Sequence, residues 1–266
     1  VNASNDAERI AAFFLDARRT TVGFTDYPGP VPTTLEEGYA IQAEALAHSN
    51  DPVAGWKVGR ILPPLSDQFG CDRLAGPIFA PTVVAADADA VGLTFSQGFG
   101  AAEAEFLFRI GTPPPAGKKE FTLEEAASHI DAVHIGIEIA SSPFQGINGM
   151  GPAVTISDFG NNNGLLVGPA VPDWRDGTYA LQSVSTRIDE VEVGTGTASA
   201  FPDGAIGSVR FLLENLAKRG IIIQMGWWIS TGAVTGVHPV QPGQTVETDF
   251  GPLGILSCRI AAQEPR

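Results

Sequence analysis

With 266 residues, 44% of them hydrophobic and 17% charged, the chain falls among ordinary folded proteins and has room for one large domain, or one domain with a small helical cap. Its 30 acidic and 16 basic residues leave a formal net charge of -14, a field that repels nucleic acid and obliges any small anionic substrate to find a local cation. Cys71 and Cys258 are too far apart in sequence for a thiolate metal motif, no run reaches the ~18 apolar residues of a membrane span, and Asp6, Glu8 and Arg9 do not read as a signal peptide, so a cytoplasmic protein without a membrane partner is expected.

Ile10, Phe13, Phe14 and Ala17 recur at helical spacing and predict a helix over Asn5 to Arg19, with Arg18 and Arg19 at its C-terminal end. A Pro-rich loop, Tyr27 to Pro32, separates it from a second helix, for which Thr33 and Glu36 read as a capping box ahead of Leu35, Tyr39, Ala43 and Leu46. Residues 1–52 thus read as an N-terminal helical segment and 53–266 as a β-rich catalytic domain, the two forming one compact unit. From Val53 onward, short β-branched or aromatic runs alternate with Gly/Pro turns: Ala54–Val58, Ile78–Val84, Ala102–Ile110, Ala132–Ile139, Leu165–Val167, Leu181–Ile188, Trp228–Thr231 and Ile255–Ile260. Two helices interrupt them, Leu123–His129 behind the capping box Thr122/Glu125, and Ser208–Arg219 closed by Gly220. The expectation is an α+β fold, a mixed β core decorated by helices.

On a strand Glu103 and Glu105 point to one face, ~7 Å apart, while Ala104, Phe106 and Phe108 point to the other. Such a pair is either a wet surface or a site for a hard divalent cation, Mg²⁺ or Mn²⁺. In Val133–Ile139 the four β-branched residues form one apolar face, and His134, Gly136 and Glu138 form the other. A glutamate inside such an apolar strand needs a partner, and Gly136 reads as leaving room for a ligand beside it. Glu103, Glu105 and Glu138 would together make a three-carboxylate site with open positions for water and substrate; His134 reads as a hydrogen-bonded core histidine. Lys57, flanked by Gly55, Trp56, Val58 and Gly59, either snorkels to the surface or serves near the carboxylates as acid, base or anion anchor.

In their order, Gly55-Trp56-Lys57-Val58-Gly59, Glu103-Ala104-Glu105 and Glu138-Ile139 resemble the hydratase/decarboxylase branch of the fumarylacetoacetate hydrolase superfamily. Gln68–Asp72, Gly76-Pro77-Ile78-Phe79, Asp158 through Gly168, Leu216–Gly220, Ser230-Thr231-Gly232-Ala233 and Phe250–Gly254 extend the match over most of the chain. The resemblance implies a mixed sheet or β-roll core, a homo-oligomer, and Glu103, Glu105 and Glu138 as ligands of Mg²⁺ or Mn²⁺. It also implies Lys57 as the acid/base residue near a small 2-oxo acid substrate; Ser230 and Thr231, in a Gly-flanked turn, read either as hydrogen-bonding that substrate or as ordinary turn hydroxyls, and Phe79 reads as a further substrate contact. Hydration of a 2-hydroxy-2,4-dienoate is the activity it favours. Decarboxylation of an unsaturated 2-oxo diacid is the alternative, followed by acylpyruvate C–C hydrolysis, for which the superfamily usually carries Asp where this chain has Glu138; a non-catalytic binding protein is the remaining reading. Two segments depart from the branch: its Glu-Ile-x-Asp-Ser-Arg is here Glu138-Ile139-Ala140-Ser141-Ser142-Pro143, and its Asp-Asn-Ala-Ser becomes Asp158-Phe159-Gly160-Asn161-Asn162-Asn163.

Overall fold

The computed structural model describes residues 3–266; residues 1 and 2, the start of the expected helical segment, lie outside the described residues. The helices are α1 (Ala3–Thr20), α2 (Leu35–His48), α3 (Leu65–Phe69), α4 (Leu123–Ser128), α5 (Pro152–Ser157) and α6 (Gly204–Lys218). The strands are β1 (Val53–Arg60), β2 (Arg73–Phe79), β3 (Val83–Ala85), β4 (Val91–Thr94), β5 (Phe99–Ile110), β6 (Ile130–Ser142), β7 (Asn162–Ala170), β8 (Val184–Ile188), β9 (Val191–Gly196), β10 (Trp228–Ser230), β11 (His238–Pro239), β12 (Thr245–Asp249) and β13 (Ile255–Ala262). Eight strands form a mixed sheet in the order β2-β1-β10-β5-β6-β7-β3, with β11 on β5, and five form a second in the order β4-β13-β12-β8-β9. The architecture is the expected α+β one.

The long β5–β6 pair is the spine of the larger sheet because each strand carries an unbroken apolar face. Ala104, Phe106 and Phe108 of β5 join Val133, Ile135, Ile137 and Ile139 of β6 in the main core. Phe106 meets Tyr179 and Phe250 edge-on, with ring centroids 4.9 and 5.4 Å apart. The opposite face is also covered, with Leu107, Ile78 and Leu165 fully buried together. Consequently the carboxylates on that face sit in protein, and the wet-surface reading of Glu103 and Glu105 does not hold.

Helices α1 and α2 close one end of this arrangement. Ile10, Phe14, Ile41 and Ala45 pack with Phe144, Val154 and Phe159. The side chain of Gln42, fully buried, donates to the carbonyls of Ala75 in β2 and Ile156 in α5, both at 3.0 Å. Among the described residues no helix is long and apolar enough to cross a membrane.

Several local expectations shift. The α2 capping box is formed by Thr34 and Glu37, one residue later than Thr33 and Glu36, and the Glu37 carboxylate also takes the backbone N–H and hydroxyl of Thr33. The run Ile78–Val84 is not one strand: a 3-10 turn at Ala80–Thr82, containing Pro81, which has no N–H for a ladder, separates β2 from β3. Thr178–Leu181 is likewise a turn, so β8 starts only at Val184. Helix α6 begins at Gly204, ahead of Ser208, its first turn drawn into the core by buried Ala205. Helix α5 carries no amphipathic pattern because all six of its residues are buried.

Candidate metal centre

The antiparallel register of β5 and β6 sets Glu103 directly opposite Glu138, and Glu105 opposite Gly136. All three carboxylates therefore share one face, and ligand atoms of the three lie within 4.8 Å of one another. Glu105 and Glu138 are fully buried and Glu103 is 5% exposed. Like charges directly across a strand pair repel, and burial deepens that cost, so the cluster needs compensating cations.

The partners of these carboxylates divide their oxygens in a regular way. Glu105 Oε2 accepts from the Ser230 hydroxyl and, at 2.9 Å, from the Gly232 backbone N–H, while its Oε1 is buried without a partner. Glu138 Oε1 accepts from Asn162 Nδ2 at 2.9 Å and pairs with Lys57 Nζ at 3.2 Å, while its Oε2 is buried without a partner. Each fully buried carboxylate thus has one oxygen anchored by the protein and one left bare. Bare buried carboxylate oxygens are costly, and converging oxygen donors are what a hard divalent ion takes, so this donor set fits such an ion. Burial, opposed in part by Lys57, pushes the Glu103 carboxyl up to about 7. Burial together with the charges of Glu138 and Glu103 pushes Glu105 well above its ordinary value. In the metal-free protein the cluster holds protons that a cation would displace.

Lys57 projects from β1 into this cluster and is 4% exposed. Besides Glu138 it donates to Asn161 Oδ1 at 3.2 Å. Burial alone would depress its ammonium, but the charges of Glu138, Glu103 and Glu105 outweigh it and hold the group above its ordinary range. Asn161 reaches it through an unusual backbone. Phe159, Gly160 and Asn161 have φ of 56°, 61° and 58°, three successive left-handed residues, two of them not glycine. This turn presses on β2 at Gly76, opposite Lys57 in the ladder, where a Cβ would come within 2.0 Å of the Phe159 carbonyl oxygen. Only glycine at 76 permits that approach.

Other expected site residues are placed differently. Gly136 does not leave room for a ligand: a Cβ there would lie 2.2 Å from Leu107 Cδ1, so the space is filled by a core side chain. Ser230 touches the cluster through Glu105, whereas the Thr231 hydroxyl is committed to the Phe106 carbonyl at 2.8 Å. A cavity of about 500 Å³ opens over Lys57, Glu103 and Asn161, and it is lined further by Arg60, Asn148 and Thr155. Thr231 and Phe79 do not line it. The Phe79 ring packs edge-on against Phe159, centroids 5.0 Å apart, and lines a second cavity of about 410 Å³ with Arg18 and Asn163. His134 Nδ1–H donates to the Gly168 carbonyl oxygen at 2.8 Å, as a core histidine would. Sequence reasoning missed Asn161, Asn162, the Gly232 N–H and Arg60; the run of three asparagines at 161–163 was the one visible signal.

No family model matches the chain. A segment of 107 residues, 40% of this chain and 39% of the relative, is 31% identical to the 2-oxo-hept-4-ene-1,7-dioate hydratase of Escherichia coli, so the match spans well under half of that protein. In structure the chain is similar to 4-oxalocrotonate decarboxylase from Pseudomonas putida G7, solved with magnesium and adipate, with a TM-score of 0.82 and 20% identity over 96% of this chain and 97% of that one. It is also similar to fumarylpyruvate hydrolase from Pseudomonas aeruginosa, solved with Mn²⁺ and pyruvate, with a TM-score of 0.58 and 19% identity over 81% of this chain and 94% of that one. The chain has the fumarylacetoacetate hydrolase superfamily fold.

Within that fumarylacetoacetate hydrolase fold the two departures from the branch pattern acquire a structural meaning. Ser141, in place of the pattern's Asp, accepts the Phe95 N–H at 2.9 Å and donates to the Phe99 carbonyl, tying the β4–β5 connection to β6. Pro143 stands where the pattern has Arg, and a guanidinium comes instead from α1: Arg18 donates to the Ser141 carbonyl at 3.2 Å and pairs with Asp158 at 2.5 and 3.0 Å. Asp158 is fully buried in that pair, and Arg18 also donates to Asn163 at 3.2 Å. The strained turn that carries Asn161 and Asn162 is therefore held at both flanks by α1.

Proposed function

We propose that this protein is a divalent-metal-dependent lyase that hydrates a 2-hydroxy-2,4-dienoate to a 4-hydroxy-2-oxo acid. The observation that carries the reading is the cluster itself: three buried carboxylates, two of them with one bare oxygen each, beside a buried lysine at the floor of a cavity. The likeness of a chain segment to a hydratase of a 2-oxo-heptenedioate supports the reaction type.

Glu103, Glu105 and Glu138 would hold Mg²⁺ or Mn²⁺, which when bound supplies Lewis-acid stabilisation of negative charge developing on the substrate's 2-oxygen. Ser230 and the Gly232 N–H fix the Glu105 carboxylate, and Asn162 fixes that of Glu138, so each keeps one oxygen free for the ion. Lys57 is held protonated by its acidic neighbours and oriented by Asn161, which suits it to deliver a proton. Protonation of the dienol's terminal carbon, with loss of the 2-hydroxyl proton, gives a 2-oxo acid whose alkene is conjugated with the new carbonyl. Water then adds across that alkene, its hydroxyl going to the carbon remote from the carbonyl and its proton to the adjacent one.

A second reading, decarboxylation of an unsaturated 2-oxo diacid, is favoured by the full-length similarity to 4-oxalocrotonate decarboxylase. The two reactions share the developing charge at the 2-oxygen and diverge in what leaves or adds at the far end. The test follows the loss of dienoate absorbance on 2-hydroxypenta-2,4-dienoate with Mg²⁺ or with EDTA, for the wild type, Glu105→Gln and Lys57→Ala. Turnover to the 4-hydroxy-2-oxo acid that disappears with EDTA and in both variants supports hydration. Release of carbon dioxide from 4-oxalocrotonate, with no hydration of the dienoate, moves the assignment to the decarboxylase. Turnover indifferent to EDTA and to Glu105 removes the metal reading.

A further inference from the structure

Arg60, the last residue of β1, lines the same cavity as Lys57 and Glu103. Its Nε is buried and has no hydrogen-bond partner, and among the described residues its guanidinium makes no ion pair. The Phe201 ring packs against it, its centroid 5.8 Å from the guanidinium carbon. Elsewhere in the described residues the arginines are spoken for. Arg18, Arg73, Arg109 and Arg210 pair with aspartates, Arg175 and Arg219 bond to carbonyl or amide oxygens, and Arg259 stands in solvent. A buried Nε–H with no acceptor is costly unless a ligand completes it.

The cavity's other cation, Lys57, is already engaged by Glu138 and Asn161. In a protein of net charge -14, an anion entering this cavity meets one cation with donors to spare. Lys57 and Arg60 are three residues apart on β1, about 10 Å of strand, and both line this one cavity of about 500 Å³, which has room for a short carbon chain. The lining also includes the apolar side chains of Ile61, Leu62, Leu65, Leu74 and Val237.

We propose that Arg60 receives a second carboxylate at the far end of the substrate, so that the site selects 2-oxo diacids over 2-oxo monoacids. A planar fork of guanidinium donors suits a carboxylate bidentately, and stacking on Phe201 holds the fork in place. The proposal rests on the preceding reading in that the 2-oxo end of the substrate lies at Lys57 and the carboxylate cluster. It narrows that reading by ranking the simple pentadienoate, still turned over, below the corresponding diacid.

Two measurements on the Mg²⁺-supplemented full chain test it, with Arg60→Gln and Arg60→Leu as variants and melting curves to verify folding. The first compares kcat/KM for 2-hydroxyhepta-2,4-diene-1,7-dioate and 2-hydroxypenta-2,4-dienoate. The wild type is expected to favour the diacid, and the diacid-to-monoacid ratio is expected to fall about 10- to 100-fold in the variants, mainly through KM. The second measures calorimetric binding of adipate and of hexanoate, which needs no turnover; the wild type is expected to bind adipate more tightly, and the variants to lose that preference. Equal loss for monoacid and diacid, or an adipate preference that survives in both variants, overturns the assignment of Arg60. Absence of turnover on either dienoate refutes the hydratase reading, and the adipate comparison then decides Arg60 by itself.

Discussion

Replacing Glu105 by Gln is expected to stabilise the metal-free protein while abolishing its stabilisation by metal. Glu105 is fully buried, its Oε2 accepts two protein donors, and its Oε1 is buried without any donor in a cluster whose ligand atoms lie within 4.8 Å of one another. A glutamine keeps an oxygen for Ser230 and Gly232 and turns an NH₂ toward the two remaining carboxylates, giving them a donor that does not depend on Glu105 holding a proton. Removing one unpartnered buried acceptor is worth about 1–3 kcal/mol, which for a chain of this size is roughly 2–4 °C in Tm per kcal/mol. The wild type, by contrast, gains about 2.7 kcal/mol at a metal concentration one hundred times its Kd. Melting curves in EDTA and in Mg²⁺ at pH 8 would read both effects. In EDTA the variant should melt several degrees above the wild type, and in Mg²⁺ the order should reverse or close. A variant that is less stable than the wild type in EDTA would refute the argument that the cluster is a charge-strained site completed by a cation.

The pH dependence has a definite sign. Burial raises the Glu103 carboxyl from its ordinary 4.5 to about 7 in the metal-free protein, so between those values the folded state holds more protons than the unfolded one. The stability of metal-free protein should therefore fall as pH rises from about 4.5 to 7, by up to about 3 kcal/mol for this group, and Mg²⁺ should reverse the fall; urea titrations across that range check it. Lys57→Met should lower turnover by about 10² to 10⁴-fold while calorimetry still detects Mg²⁺ binding, since the lysine is not one of the oxygen donors. Arg18→Leu should cost about 3–5 kcal/mol, because fully buried Asp158 loses its cation; Arg18→Leu combined with Asp158→Asn should recover much of that loss in chemical denaturation.

The chemistry of the site was legible because strand periodicity is a local property. Alternation alone put Glu103 and Glu105 on one face of β5, and the apolar run at 133, 135, 137 and 139 put Glu138 on the polar side of a core strand. The strand around Lys57 left it open between the surface and the carboxylates, and burial beside Glu138 decided between the two. Other residues needed the assembled chain. Gly136 read as space for a ligand, and packing filled that space with Leu107 from the neighbouring strand. Arg60 lies one residue past the motif that contains Lys57, and nothing in its neighbours reveals that its guanidinium ends in the same cavity without a partner.

What the sequence determined by itself was which side chains share a face, since that follows from backbone geometry within a few residues. The pairing of Glu103 with Glu138 is a register between distant strands, and the hold of Arg18 on Asp158 spans 140 positions. The left-handed turn at Phe159 to Asn161 exists because Gly76 lets it press on β2. Only the tertiary structure decided these, because contacts between remote segments are selected by the packing of the whole core and leave no periodic trace in either segment.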